Sequence, residues 1–139
     1  MTGYETVLAS ILGRLTAAPK TWADDIRRAH LTAPPKSAGR VVHLIDGEDA
    51  PDKGARRDCT QRDGAFSLAL FVRSDLGVSA ADPMKIEVMR RLAPDSAPYP
   101  DGVAVKPGRV VPSANLADND AIRIDMDFTF CYPATDWTL

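Results

Sequence analysis

Cysteine and histidine are scarce in this 139-residue chain, and their scarcity removes most of the chemistry that depends on them. The two cysteines, Cys59 and Cys131, lie far apart and form no Cys-x-x-Cys, so neither a zinc site nor a disulfide framework is signalled; two reduced thiols are expected. The two histidines, His30 and His43, fit no His-Glu-x-x-His or other ligand spacing, and His43 alternates with Val42 and Leu44 as a structural strand histidine does. There is no Gly-x-Ser-x-Gly elbow, no Gly-rich phosphate loop followed by Lys-Ser or Lys-Thr, and no Gly-x-Gly-x-x-Gly, so nucleophilic and nucleotide chemistry lack support and no cofactor is expected. A positive excess is lacking too. Lys and Arg number 17 against 19 Asp and Glu, for a net charge of −2, which argues against a nucleic-acid coat or an anionic-membrane binder and leaves only transient or local contact with DNA. No apolar run approaches the roughly 18 residues of a membrane span. The opening MTGYETVLAS lacks the basic-then-apolar layout of a signal peptide, so a protein made and used in a cytoplasm is expected.

With 45% hydrophobic and 26% charged residues, the chain reads as a single domain spanning residues 1–139. Thr2 and Glu5 have the spacing of a capping box, and Tyr4, Val7, Leu8, Ile11, Leu12 and Leu15 then share one helical face up to Pro19. Trp22 and Ile26, one turn apart behind Asp24 and Asp25, predict a second helix over 21–30, followed by a Pro-Pro connector over 31–39. A strand is expected over 40–46. The segment 47–63 is too polar for a core-facing period and predicts a long contact loop, with an edge strand near Cys59. Phe66, Leu68, Leu70 and Val72 alternate in the next strand, whose other face is only half polar.

Asp82-Pro83 predicts the N-cap and first position of a helix that buries Met84, Val88, Met89 and Leu92 and turns Lys85, Arg90 and Arg91 to water. Pro107-Gly108 interrupts the strand over 103–111, which suits a hairpin turn or a sheet edge, and a loop over 112–120 is expected after it. In the last strand Ile122, Ile124, Met126, Phe128, Phe130 and Tyr132 oppose Arg123, Asp125, Asp127, Thr129 and Cys131. The predicted architecture is α+β, a mostly antiparallel sheet of four to five strands with two or three helices on one face.

Asp125 and Asp127 stand on one sheet face at a distance that could share a cation or divide acid and base roles. A metal site would need further carboxylates or a histidine, and Asp46, Glu48 or Asp49 are carboxylates that could supply them, although sequence alone does not place them there. The uninterrupted alternation around the pair favours a solvated or interface face that includes Arg123, with no catalytic or metal role. Glu48, Asp49, Asp52, Lys53, Arg56 and Arg57 form a stretch whose mixed signs suit a protein partner of complementary charge, or a simply solvated loop, better than a phosphate grip. Trp137, beyond the last strand, either docks back on the domain or meets a partner.

Together the amphipathic first helix, "VVHLIDGEDAP", the charged stretch with Arg56-Arg57-Asp58, "FSLALFVRSD", "ADPMKIEVMRRL" and "AIRIDMDFTFCYPATDW" resemble the tail terminator (tail completion, minor tail protein) family of lambda-like bacteriophages with long non-contractile tails. The resemblance is one of layout over most of the chain; residues 20–39 and Pro107-Gly108 depart from it. It implies a structural virion assembly protein with no catalytic residues, assembled in the host cytoplasm and resident at the head-proximal end of the tail. It would form a ring, usually a hexamer, that caps the tail tube, ends its polymerisation and joins tail to head. Its partners would be itself, the tail tube protein and head-tail connector proteins, with DNA passing through the ring without stable binding. The competing readings are another connector component, such as a head completion or stopper protein; a small metal-dependent hydrolase using Asp125 and Asp127; and a cellular ligand-binding domain.

Overall fold

In the last strand, alternation becomes burial: Ile124, Met126, Phe128, Phe130 and Tyr132 are all at most 3% exposed, while their neighbours Arg123, Asp125, Asp127 and Cys131 are half-buried. The computed structural model describes residues 3–19, 21–28, 39–51, 61–93, 99, 103–116 and 121–133. Helix α1 (Tyr4–Thr16) is followed by strands β1 (Asp25–Arg28), β2 (Arg40–Pro51) and β3 (Gln61–Arg73). Two 3-10 turns then lead into helix α2 (Ala81–Leu92), and strands β4 (Ala104–Leu116) and β5 (Ala121–Pro133) complete the fold. The five strands run in the order β1-β2-β3-β5-β4. β1 pairs in parallel with β2, and every other pairing is antiparallel, so the fold is α+β with a mostly antiparallel sheet.

Both helices lie on one face. Val7, Leu8, Ile11 and Leu15 of α1 and Ala81, Met84, Val88 and Leu92 of α2 join Val42, Leu44, Phe66, Leu68 and the buried side chains of β5 in one core. Phe66 and Phe128, opposite each other in register, stack with centroids 5.1 Å apart. Gly64 admits the Phe130 ring, since a β-carbon there would lie 2.3 Å from it. Among the described residues no helix is long and apolar enough to cross a membrane.

Several expectations are corrected. The helix expected over 21–30 is instead the short strand β1. Trp22 and Ile26 both reach the core, a requirement that extended chain meets as well as a helical turn does. The Asp24 carboxylate accepts the backbone N–H groups of Gly39 (3.0 Å) and Arg40 (2.8 Å), which holds the start of β1 beside that of β2. Nor is 47–63 one long loop, because β2 runs on to Pro51 and β3 begins at Gln61, with a register shift between Asp46 and Asp49. The shift is held from the helix layer: the Tyr4 hydroxyl donates to the Ala65 carbonyl and accepts from the Gly47 N–H, each at 2.9 Å. Residues 52–60, including the expected edge strand near Cys59, lie outside the described residues.

The expected capping box lies partly outside the described residues. Thr2 lies outside the described residues, Gly3 occupies the N-cap position, and Glu5 instead accepts a hydrogen bond from Arg28 at 3.0 Å. In α2 the cap falls at Ala80 rather than Asp82. Met89 is 41% exposed and Arg91 only 8%, the reverse of the expected pair. Arg91 turns inward because uncapped carbonyls at the end of α1 await a donor there. Finally, β4 runs to Leu116, through part of the expected loop over 112–120, and Pro107 sits on the sheet edge at a register shift, as one of its two expected settings has it.

Phe128→Ala should lower unfolding free energy by about 3–5 kcal/mol in urea melts, because the ring is enclosed between Phe66 and the helices. A loss under about 1 kcal/mol would place the core on the other face.

Candidate functional site: the open sheet face and its edges

The sheet face away from the helices is partly apolar. Val41, Ala69 and Phe71 form a small second cluster with Ile45 against it, and His43 lies edge-on to Phe71 with ring centroids 5.1 Å apart. Charged residues frame this strip through short-range pairs along single strands. Arg27 donates to Asp25 at 2.6 Å, and Arg123 donates to Asp125 at 2.8 Å while its guanidinium lies 5.6 Å from the Phe71 ring centre. Asp127 accepts the Ser67 hydroxyl at 2.8 Å and has Arg109 of β4 at 3.9 Å.

Arg123, Asp125 and Asp127 thus share the open face, where the two carboxylates are held by cations and a hydroxyl. That environment opposes a divalent ion, which competes poorly with a guanidinium already in place. Among the described residues no group of three or more His, Cys, Asp or Glu side chains could hold a metal.

Glu48 and Asp49 part company. Glu48 is exposed, whereas Asp49 accepts hydrogen bonds from Arg62 (3.2 Å) and the Tyr132 hydroxyl (2.6 Å). Burial and then the Asp49 carboxylate push the Tyr132 phenol up to about 12. Asp52, Lys53, Arg56, Arg57 and Trp137 lie outside the described residues. At this end of the sheet a cavity of about 420 Å³ is lined by Glu48, Asp63, Lys106, Thr129, Phe130 and Cys131, among others.

The sequence reading did not single out the exposed residues of β4. Lys106, Arg109, Val110 and Val111 are all exposed, the two valines by 45% and 40%, along a strand whose outer edge pairs with no described strand. The interruption at Pro107-Gly108, which suits an edge, was the signal that could have drawn attention to them. The other edge, β1, spans four residues and presents Asp25 and Arg27 on the open face, because their register partners Val41 and His43 lie there.

Two outcomes follow from this geometry. Replacing Asp125 and Asp127 together with Asn should leave folding intact, and calorimetry should find no tight divalent-ion site in the wild type for the change to abolish. His43 is buried with its Nε2 unpartnered. Burial holds its pKa below the usual histidine value; Arg27 adds to this, Asp25 opposes it and Arg123 lowers it further. The folded state thus binds the proton less readily than the unfolded chain, so this contribution to stability is present above about pH 6.5 and lost as pH falls. Urea midpoints measured from about pH 7.5 down to 5.5 should fall more steeply for the wild type than for His43→Gln.

No protein-family model matches the sequence. No curated protein matches it either. Among solved structures, the chain is similar to a chain of the virion of a native gene transfer agent (GTA) particle, with 19% identical residues and a TM-score of 0.54 over 94% of this chain and 87% of that one. The likeness is one of fold.

Proposed function

We propose that this protein is a structural component of a phage-type virion: a ring at the head-proximal end of the tail that caps the tail tube, ends its polymerisation and joins tail to head. The observation that carries the reading is the fold shared with a chain of a gene transfer agent virion over nearly the full length of both. The layout resemblance to tail terminators points the same way, and so does the character of the surface. On the open face Asp25, Asp125 and Asp127 are engaged by Arg27, Arg123 and Ser67, and Val110 and Val111 are exposed on an edge strand, which suits assembly better than turnover. The protein acts by binding, with no catalytic step.

A terminator stops a polymer by docking on its end. Its own subunit contacts are therefore weak in solution and reinforced on the tube, where several subunits bind together. Free protein is a monomer, or a monomer in equilibrium with a closed ring of about six subunits. Glu48 and the segment carrying Lys53, Arg56 and Arg57 meet the tube or the next subunit, and the Asp125 and Asp127 face, if it lines the channel, repels phosphate so that DNA passes without sticking. A head completion or stopper ring draws on the same fold likeness and differs in which intermediate accumulates without it.

Deleting the gene should yield overlong or headless tails by electron microscopy, and restoring it as Arg56→Glu/Arg57→Glu should give folded protein with impaired docking. Normal heads that leak DNA beside normal-length tails would assign the stopper role instead. Normal infectious particles after deletion would end the virion reading.

A further inference from the structure

The sheet ends in two unlike edges, and their chemistry is complementary. β4 offers 13 residues and β1 four, and among the described residues no strand pairs with the outer side of either. We infer that the ring closes by edge-to-edge pairing of β4 in one copy with β1 in the next, antiparallel, with Lys106 opposite Asp25, Val105 opposite Ile26 and Ala104 opposite Arg27. This rests on the ring-forming reading above and names the surfaces that would make the ring.

The register follows from which face each side chain occupies. Lys106 pairs across β5 with Thr129, and Asp25 across β2 with Val41, so both stand on the open face. Val105 and Ile26 stand on the helix side, opposite Phe130 and Val42 respectively. Pairing out of this register by one residue would turn one apolar side chain to the wrong face. In register, a lysine that makes no ion pair with any described residue meets a carboxylate, Val105 extends the core past Ile26, and the small Ala104 leaves room for Arg27.

The like-edge alternative fails on charge. Pairing β4 with its own copy brings the Lys106–Arg109 stretch against itself, cation facing cation, with Pro107 supplying no donor at the centre. Joining unlike edges is a heterologous contact, which propagates in one direction until rotation closes it, as a ring requires; joining like edges stops at a dimer. Val110 and Val111, exposed just beyond the paired run, would gain cover from the neighbouring copy.

The test is charge reversal with rescue, read by sedimentation equilibrium of the purified full chain up to high concentration. Lys106→Glu and Asp25→Lys should each weaken self-association about tenfold or more, and the two together should restore most of it. As an independent measurement, Arg27→Cys combined with Ala104→Cys, in a Cys59→Ser/Cys131→Ser background, should oxidise to a ladder of covalent multimers that ends at the ring size, whereas either cysteine alone should not. Unchanged association in both single reversals, no recovery in the double, or a cysteine pair that stays monomeric would overturn the edge pairing. The virion reading is judged separately by the deletion phenotype. Particles that depend on this gene but assemble normally with Lys106→Glu would sink the edge and leave that reading standing.

Discussion

One buried guanidinium holds the helical layer together. Arg91, near the end of α2, donates to the carbonyls of Arg14 (3.0 Å), Ala17 (2.7 Å) and Pro19 (2.6 Å), while its Nε holds Glu87 at 2.8 Å. It thereby satisfies orphan acceptors at the end of α1 and fixes the chain leaving that helix. The same guanidinium lies 5.7 Å from the ring centre of Trp22, which leads into β1. The end of α1, the approach to β1 and the last turn of α2 thus share one anchor. A lysine could not replace it, because one ammonium cannot present a planar fork to carbonyls on several sides.

This anchor also shows where sequence reasoning stops. Period-two alternation in β3 and β5 was legible because one side of each strand is covered and the other is comparatively open, so composition records the geometry directly. The arginine at position 91 reads as a solvated helix residue, since the carbonyls that draw it inward belong to a segment more than seventy residues away. β1 escaped for a related reason: four residues are too short for a period, and its partner is reached only across residues 29–39. The ends of β2 and β3 were hidden by polarity, although polar residues are suitable there because Arg62, Asp49 and Tyr132 satisfy one another.

The candidate surface was half legible. Asp125 and Asp127 could be placed on a common face from spacing alone, but their engagement by Arg123 and Ser67 required register, which no single strand contains. β4 was visible as an edge through its proline, yet the significance of Lys106 and Asp25 emerges only when they are seen at opposite ends of one sheet. On the helical side of the sheet the outward faces of α1 and α2 remain open to contact as well, and on α2 Ile86 is 68% exposed.

Gly64 carries a consequence for how far such a sequence can drift. Gly13 has nothing within 4 Å of its missing side chain, so the position is spatially free to change. At Gly64 the Phe130 ring occupies the space of the β-carbon itself, and that ring also touches Tyr4, Phe66 and Tyr132 at centroid separations of 5.7, 6.1 and 5.6 Å. Divergence at this point must therefore be concerted: a side chain can appear at position 64 only in a lineage where residue 130 has already become smaller, and the neighbouring rings must then refill the gap. The order in which mutations can be accepted is fixed here by the width of one phenyl ring.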